Sequence, residues 1–459
     1  MIRSVNPATA RLIEEFQPLD GSALEGRLQA AHLAAPLWRR APIDDRAKLL
    51  VRAADALRDS QEDHARGLTL EMGKTVRAGR EEVAKCERTL RWYADHAADF
   101  IAEKRISDDG AVSYEPLGAV LAIMPWNFPY WQVIRFAAPA LAAGNVALLK
   151  HASNVPRCAL ALERLFAAAG APSGVFQTLL IEVDSVADVI ADERIAAVTI
   201  TGSEAAGRSV AATAGKHLKK CVLELGGSDA FIVLADADLA TAARTAAQAR
   251  TVNNGQSCIA AKRFIVEQAV ANEFVTRFEH EISSLRVGDP LREDTDIGPL
   301  ASAQIRTEVH EQVLRTIAQG ARLALGGRSL ESPGYFYEPT LLTDVPLDSP
   351  AATEEIFGPV APVFVVADTS EAIALTNASR FGLGASIWTG DEQRGRRLAA
   401  EIQAGTVFVN GMVASDPRFP FGGIKASGYG RELSIEGMHE FMNIKTVRYG
   451  VNSAGSRAE

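Results

Sequence analysis

The chain has 459 residues, of which 47% are hydrophobic and 23% are charged, and this composition is ordinary for a globular protein large enough for two domains. The formal net charge of −9 argues against a nucleic-acid-binding surface, which would be basic. No apolar run approaches the roughly 20 residues that span a bilayer, and residues 1–7 lack the apolar core of a signal peptide. We therefore expect neither nucleic acid nor membrane as a partner, and a cytoplasmic location.

The cysteines are scattered along the chain and show no Cys-x-x-Cys spacing. They are Cys86, Cys158, Cys221 and Cys258. This pattern predicts free thiols in a reducing compartment, with neither a disulfide framework nor a metal site. Taken alone, any one of them is most often a small buried hydrophobic residue.

The first part of the chain, from about residue 21 to 103, is predicted to be helical. It is rich in Ala, Leu, Arg and Glu with a period near 3.6 residues. Within it, residues 73–75 (Gly-Lys-Thr) resemble the end of a phosphate-binding loop, but Leu68 stands where that loop requires a glycine. We interpret residues 73–75 as a turn at a helix end.

After residue 103 the sequence pattern changes from helical to an alternation of strands and helices. Asp109-Gly110 predicts a tight hairpin, and from Gly118 short apolar strands alternate with helices. The strands are predicted at residues 118–125, 145–150, 174–181, 196–200 and 221–223. This alternation predicts a parallel sheet covered on both faces, which binds ligands beyond the carboxyl ends of its strands. Strand 196–200 runs into a glycine-rich turn at residues 202–207, typical of either a phosphate site at a helix N-terminus or a plain turn.

Strands and helices continue to alternate from Gly227 to about residue 410, which predicts a second α/β region. A loop rich in glycine and proline closes this region at residues 419–432. The tail at residues 443–449 alternates like an exposed strand that needs a partner edge.

Six stretches resemble motifs of the aldehyde dehydrogenase superfamily, in the family's order and at its spacings over nearly the whole chain. They are Met124-Pro125-Trp126-Asn127-Phe128-Pro129, the turn at residues 202–207, Glu224-Leu225-Gly226-Gly227, Gly255-Gln256-Ser257-Cys258, Glu354-Glu355-Ile356-Phe357-Gly358-Pro359-Val360 and Pro420-Phe421-Gly422-Gly423. The chain looks most like the bacterial succinate-semialdehyde dehydrogenase branch of that family.

The resemblance implies three catalytic residues. Cys258 would attack the aldehyde as a thiolate, and Asn127 would donate to the developing oxyanion. Hydride transfer to the nicotinamide of NAD or NADP would leave a thioester, and Glu224 would activate the water that hydrolyses it. Outside this set, Asn127 would be interpreted as a turn residue and Glu224 as a solvated carboxylate.

The resemblance also implies a cofactor site. The matching residues are Trp126, Lys150, Ser153, Gly202, Ser203, Gly207, Glu355 and Phe357. Lys150 would reach the adenosine ribose, and Ser203 and the amides of the glycine-rich turn would meet the pyrophosphate. Glu355 would bind the nicotinamide ribose, with Phe357 near the ring. Many NAD-preferring relatives have a glutamate at the position of Ser153, where it repels a 2′-phosphate, so we predict that this chain uses both NAD and NADP.

Substrate residues are predicted on the helix after Asn127. Trp131 and Arg135 share one face of that helix, and an arginine suits a substrate carboxylate, although a surface ion pair explains it equally well. Arg135 matches a carboxylate-binding arginine of succinate-semialdehyde dehydrogenases, whereas Val252 replaces the second arginine that many of them use. We predict that Arg418 replaces it from across the pocket, together with Ser415.

The activity implied is NAD(P)-dependent oxidation of an aldehyde to a carboxylic acid, with succinate semialdehyde as the first candidate. Glutarate semialdehyde or a medium-chain aldehyde remain open, as does a non-catalytic structural relative, although such relatives lose the thiol or the base. Glu224 argues against a CoA-acylating member because that reaction needs no water-activating carboxylate.

By resemblance, residues 1–103 and 119–225 form a Rossmann-like NAD(P)-binding domain and residues 226–435 a catalytic α/β domain. Residues 104–118 and 436–459 form a small β oligomerisation arm. The exposed strands of this arm need a partner edge, which independently favours a homodimer or homotetramer.

Overall fold

The fold is α/β, as predicted, and the computed structural model describes residues 1–450. The helices are α1 (Gly21–Arg40), α2 (Ile43–Asp59), α3 (Gln61–Met72), α4 (Val76–Phe100), α5 (Trp131–Ala143), α6 (Pro156–Ala168), α7 (Val186–Ala191), α8 (Glu204–Lys216), α9 (Leu239–Thr251), α10 (Ala271–Ser283), α11 (Ala303–Ala318), α12 (Pro350–Thr353), α13 (Thr369–Asn377), α14 (Glu392–Ala399) and α15 (Ser434–His439). Over this described part, no helix combines the length and apolar character that crossing a bilayer requires.

Strands alternate with these helices along most of the chain. They are β1 (Ile2–Asn6), β2 (Arg11–Phe16), β3 (Lys104–Ser107), β4 (Gly110–Pro116), β5 (Ala119–Met124), β6 (Val146–His151), β7 (Phe176–Thr178), β8 (Ile195–Thr201), β9 (Lys220–Glu224), β10 (Asp229–Val233), β11 (Ala261–Glu267), β12 (Arg322–Leu325), β13 (Thr340–Thr343), β14 (Val360–Val366), β15 (Phe381–Gly382), β16 (Gly384–Trp388), β17 (Thr406–Val409), β18 (Ile424–Lys425), β19 (Gly428–Tyr429) and β20 (Met442–Arg448). Short 3₁₀ helices cover Val183–Ser185 and Val252–Gly255.

The first sheet has the strand order β19-β9-β8-β5-β6-β7, and its five longer strands are parallel. From β5 the chain adds β6 and β7 on one side, then crosses back to add β8 and β9 on the other. The crossover directions therefore reverse between β5 and β8, and open parallel sheets bind ligands at such a point. This sheet confirms the Rossmann-like prediction.

Helix α5 is buried along its whole length beside this sheet, because its sequence is apolar except at Gln132 and Arg135. Its start is fixed by Glu82 of α4, whose Oε1 accepts hydrogen bonds from the backbone N–H groups of Tyr130 at 2.8 Å and Trp131 at 2.9 Å. Lys74 forms a buried ion pair with Glu82. Because Asn127 lies just before this helix start, the pair holds a candidate site residue in place.

The second sheet has the order β12-β13-β14-β11-β10-β16-β17, parallel except at its edge strand β12. The loop after β17 then returns to the first sheet, where Gly428 of β19 pairs with Glu224 of β9. The two sheets match the predicted cofactor and catalytic regions, although the exact domain boundaries stay a prediction.

The helical start is confirmed: α1 to α4 occupy the predicted stretch, and Gly73 ends α3 in the left-handed conformation at φ 87°. A glycine is suited to this position because φ is positive there. The β1–β2 hairpin before α1 was not predicted.

The predicted arm is a three-stranded sheet with the order β20-β4-β3. The tail strand β20 pairs with β4 from Met442↔Pro116 to Arg448↔Gly110, so its partner lies in its own chain. The tail strand and the hairpin thus form one sheet, as predicted for the arm, and the alternation of the tail does not by itself require a second subunit. Strands β20 and β3 remain as edges, with Ile106 and Ile444 more than half exposed. Residues 451–459 of the predicted arm lie outside the described residues.

Candidate active site

The loop that carries Cys258 lies between α9 and β11 and has an unusual backbone. Asn253 and Asn254 are left-handed, with φ of 55° and 59°, and Gly255 follows at 78°. Asparagine and glycine tolerate this region better than other residues, which explains their succession in the sequence. A side chain at Gly255 would collide with the backbone of Gly358, so the loop packs directly on the turn after α12.

Side-chain amides anchor this loop on both sides. Asn254 Nδ2 donates to the carbonyl oxygens of Gly73 and Pro299, each at 3.0 Å, and Asn253 Nδ2 donates to that of Asn127 at 2.7 Å. Arg250 is fully buried and donates to the carbonyl oxygen of Gly255 at 2.6 Å. The backbone before Cys258 is therefore fixed before any substrate arrives, as catalysis by a positioned nucleophile requires.

Asn127 meets this loop from the other side. Its Nδ2 donates to the carbonyl oxygen of Gln256 at 3.1 Å, and its Oδ1 has no hydrogen-bond partner in the described chain. His151 stabilises the same turn, because its Nδ1 accepts from the Ala152 N–H at 2.9 Å and its Nε2 donates to the Pro129 carbonyl at 2.8 Å. One amide hydrogen of Asn127 is left for an oxyanion, so the geometry is compatible with the predicted role.

Cys258 is half-buried, and burial raises the pKa of its thiol to about 11, although the charges of Arg135 and Lys262 oppose this effect. The thiol is therefore protonated at neutral pH before ligands bind. A thiolate is the reactive form, so deprotonation has to be assisted during the reaction.

The raised pKa predicts how Cys258 responds to pH. Because each pH unit below the pKa changes the thiolate fraction tenfold, we expect its alkylation by iodoacetamide to accelerate steadily from about pH 7 toward the pKa of about 11. The measurement is the rate of inactivation without ligands, with the modified peptide identified by mass spectrometry. A plateau near neutral pH would contradict the prediction.

Glu224 ends β9 and is buried, with both carboxylate oxygens lacking a hydrogen-bond partner among residues 1–450. Burial raises the pKa of this carboxyl well above its usual range, and the neighbouring Glu432 raises it further. A Cβ on Gly422 would lie 2.6 Å from Glu224 Oε1, so only a glycine leaves room for this carboxyl group. A carboxyl with a raised pKa is suited to proton transfer near neutral pH.

Arg135 is buried and forms an ion pair with Glu432, and its Nη2 lies 3.3 Å from Thr201 Oγ1. Burial is the main cause that raises the pKa of Glu432, and Arg135 opposes it. Sequence reasoning missed this pair because the two residues are 297 positions apart. Breaking it would leave one charge buried without a partner, at a cost of about 3–5 kcal/mol.

Arg418, predicted to assist Arg135, is 68% exposed and pairs with Asp416 at 2.6 Å. The guanidinium groups of Arg135 and Arg418 are thus each committed to a carboxylate of the chain, and the structure does not form the predicted two-arginine site. Of the other two predicted substrate residues, Trp131 is buried and Ser415 accepts a hydrogen bond from Lys85 at 2.7 Å.

A cleft of about 910 Å³ opens at the carboxyl ends of the central strands of the first sheet and extends to Cys258 and Asn127. Its lining includes seven of the eight predicted cofactor residues, namely Trp126, Lys150, Ser153, Gly202, Ser203, Glu355 and Phe357. Helix α11 forms the opposite wall. The cleft therefore lies at the switch point of the sheet, between the ends of β5 and β8, and the Cys258 thiol lines it.

Ser203 is the N-cap of α8, and its Oγ accepts from the Ala206 N–H at 3.3 Å. The first turn of the helix faces the cleft, where its unpaired N–H groups favour an anion. The Gly207 N–H donates to the Ser203 carbonyl inside the helix at 2.9 Å, so this amide is already paired, and the cofactor contact of Gly207 stays a prediction. Gly207 instead lets α8 pack on Leu225, whose side chain would collide with a Cβ there.

The inner end of the cleft combines rings with a carboxylate. Trp126 and Phe357 meet edge to face, with ring centroids 5.7 Å apart. Glu355 Oε1 accepts from the Gly227 N–H at 3.1 Å and lies 3.3 Å from Lys262 Nζ. The two rings could pack against a flat ring of a ligand, and the Glu355 carboxylate could accept a hydrogen bond from an adjacent sugar hydroxyl.

Lys262 was also missed from the sequence. Its ammonium group is buried and donates to the carbonyl oxygens of Ser257 and Cys258, both at 2.8 Å, while pairing with Glu355. It connects the nucleophile loop to the carboxylate in the cleft. The available signal was a lysine inside an apolar strand, since a charge in a buried strand requires internal partners.

The fold and the site together define an α/β enzyme with a nucleotide-type cleft that ends at a held cysteine. The aldehyde dehydrogenase family matches residues 1–447, and the chain belongs to that family. This confirms the resemblance on which the sequence predictions were based.

Individual relatives are similar over almost their whole length. A probable succinate-semialdehyde dehydrogenase (NADP+) from Synechocystis sp. is 51% identical over 449 residues, which cover 97% of this chain and 99% of the relative. Succinate-semialdehyde dehydrogenase (NADP+) 1 from Mycobacterium tuberculosis is 49% identical, with coverages of 97% and 99%. The crystal structure of succinic semialdehyde dehydrogenase from Streptococcus pyogenes in complex with NADP+ has a TM-score of 0.95 at 38% identity, covering 97% of this chain and 99% of that one.

Proposed function

We propose that this chain oxidises succinate semialdehyde to succinate with NADP or NAD as the hydride acceptor. The observation that carries the proposal is that Cys258 lies in the same cleft as Lys150, Ser203 and Glu355. The Synechocystis, mycobacterial and streptococcal relatives bear the same activity in their names. We therefore assign as substrate a small aldehyde that carries a carboxylate, rather than a neutral aldehyde.

In this reaction the Cys258 thiol releases its proton to solvent as its sulfur bonds to the aldehyde carbon, and the Asn127 amide donates to the oxygen that becomes negative. The chemistry that a bound nicotinamide would supply is acceptance of the hydride from this carbon. A thioester to Cys258 remains. Glu224 removes a proton from water, whose oxygen attacks the thioester, so that the acid is released and the thiol is restored.

The residues of the cleft fit a dinucleotide. The open N-terminus of α8 suits the pyrophosphate, and the Glu355 carboxylate suits ribose hydroxyls. Lys150 is buried at the cleft wall, where it donates to the His151 carbonyl at 3.0 Å. Ser153, in the same wall, brings no negative charge, which makes a 2′-phosphate acceptable beside Lys150.

Ser153→Glu is expected to shift the cofactor preference toward NAD. A carboxylate there would repel the 2′-phosphate, so we expect kcat/KM with NADP to fall by about 10- to 100-fold while that with NAD falls little. Initial rates with both cofactors measure this, and Ser153→Gln is the matched neutral control. If the wild-type enzyme were already a hundredfold more active with NAD, the role given to Ser153 would be wrong.

The substrate assignment is tested by comparing succinate semialdehyde with butanal, which has the same carbon number but no carboxylate. We expect kcat/KM to be at least about tenfold higher for the acid, since a charge-assisted pair is worth about 1.5–3 kcal/mol. Equal values would refute the assignment. A higher value with glutarate semialdehyde would replace the substrate by its longer homologue.

Assembly and location complete the proposal. We infer a homodimer or homotetramer in the cytoplasm. The exposed apolar residues Ile106, Ile444 and Tyr449 on the arm sheet support a further interface. All four cysteines are free, which supports a reducing compartment.

A further inference from the structure

Lys85 of α4 contacts two of the predicted substrate residues but belongs to none of the motifs of the sequence. Its ammonium group donates to Ser415 Oγ at 2.7 Å and lies 4.1 Å from the ring centroid of Trp131. Both of these neighbours are buried residues that were predicted to contact substrate. Lys85 therefore extends from the helical region to the surface that Trp131 and Ser415 form.

The charge of Lys85 has no carboxylate counterpart among residues 1–450. Among residues 1–450 no carboxylate oxygen lies within 4.0 Å of its ammonium group, and Asp416, the nearest candidate in sequence to Ser415, pairs with Arg418. One of the three ammonium hydrogens is donated to Ser415 Oγ, and the ammonium group lies over the ring of Trp131. A donor is thus left for a ligand.

Burial, and to a smaller extent the positive charge of Arg135, lowers the pKa of Lys85 to about 8. Both effects reflect an ammonium group held in a partly dry place without an anion. A substrate carboxylate would remove this imbalance, because an anion beside a desolvated cation favours its charged form.

The position relative to the cleft follows from the neighbours of Lys85 and Arg135. Trp131, whose ring centroid lies 4.1 Å from the Lys85 ammonium group, directly precedes Gln132, which lines the cleft that extends to Cys258. Arg135 Nη2 lies 3.3 Å from Thr201 Oγ1, and Thr201 lines the same cleft. The charge of Arg135 is paired with Glu432, so among residues 1–450 Lys85 is the cation of this cluster without a carboxylate partner.

We propose that Lys85, with Ser415 as a second donor, binds the carboxylate of the substrate. This inference rests on the proposed function and deepens it, since it names the residues that select an acid aldehyde. Arg135 then acts as a buried partner of Glu432, and the aliphatic part of the substrate lies along Trp131.

The first test is Lys85→Met, which keeps the length of the side chain and removes its charge. We expect the KM for succinate semialdehyde to rise about 10- to 100-fold, while kcat/KM for butanal changes less than about threefold. Arg88→Met is the matched control, because Arg88 is an exposed cation one turn further along α4. It should leave both substrates unaffected.

The outcomes separate the two proposals. A wild-type enzyme without preference for the acid over butanal would refute the proposed function itself. If the wild-type enzyme prefers the acid and Lys85→Met keeps that preference, only the assignment of Lys85 is overturned. Equal losses with both aldehydes would also overturn it, because they would indicate a purely structural role.

A measurement on the wild-type enzyme avoids any dependence on how the variant folds. Because neutral Lys85 cannot attract a carboxylate, the ratio of KM for succinate semialdehyde to KM for butanal should rise as the pH passes the value of about 8. The charged and titratable groups that face Lys85 are Arg135, Cys86, Glu82, Arg88 and Asp416. A ratio that stays constant between about pH 7 and pH 9 would overturn the assignment.

Discussion

Cys258→Ala is expected to abolish aldehyde oxidation, with kcat lowered by roughly 10⁴-fold or more, because no covalent intermediate can form. The loop around it is held by Asn253, Asn254 and Arg250, none of which contacts the sulfur in a hydrogen bond. The substitution removes one atom from a half-buried position, so we expect the fold and the melting temperature to be nearly unchanged.

The measurement is the rate of NADPH formation with succinate semialdehyde, accompanied by a thermal melt. Cys221→Ala is the matched control, since this second thiol is also half-buried but lies on β9 and outside the cleft. Comparable losses in the two variants, or turnover in Cys258→Ala above a hundredth of the wild-type rate, would show that Cys258 is not the nucleophile.

Glu224→Gln is expected to separate the two halves of the reaction. Hydride transfer needs only the thiol and the oxyanion donor, whereas hydrolysis needs a base, so one equivalent of NADPH per site should form rapidly before turnover stalls. General-base catalysis contributes about 10²- to 10⁴-fold, and we expect the steady-state rate to fall within that range. Because the carboxyl of Glu224 accepts no hydrogen bond within the described chain, replacing it by an amide breaks none.

Stopped-flow absorbance resolves the burst from the steady state. Glu436→Gln, on the exposed face of α15, is the control for removing a carboxylate nearby and should show wild-type turnover. Full steady-state turnover in Glu224→Gln would remove Glu224 from the role of base. Loss of the burst together with turnover would place its effect before hydride transfer.

Much of the fold was predictable from local pattern. The apolar strands β5, β6 and β8 and the buried helix α5 have the composition that their positions require, and the order of motifs placed Cys258, Asn127 and seven cofactor residues around one cleft. These features depend on residues close together in sequence or at the ends of neighbouring parallel strands, where topology alone brings them together.

The features that were missed depend on contacts between distant segments. Arg135 was assigned to the substrate because its partner Glu432 arrives from the C-terminal loop, and Lys85 was overlooked because it lies in a helix without a motif. The packing of Gly207 on Leu225 could not be read from the sequence, because a glycine suits close packing and phosphate binding equally well. The predicted arm brought the hairpin and the tail together, but the register of β20 on β4 could not be read from alternation alone.

Trapping the covalent intermediate tests the central claim most directly. Glu224→Gln is mixed with succinate semialdehyde and NADP, quenched in acid within the burst, and digested for peptide mass spectrometry. We predict a mass increase of one succinyl group on the peptide that contains Cys258, and none on those with Cys86, Cys158 or Cys221. A burst of NADPH with Cys258 unmodified, or a succinyl group on another cysteine, would contradict the account.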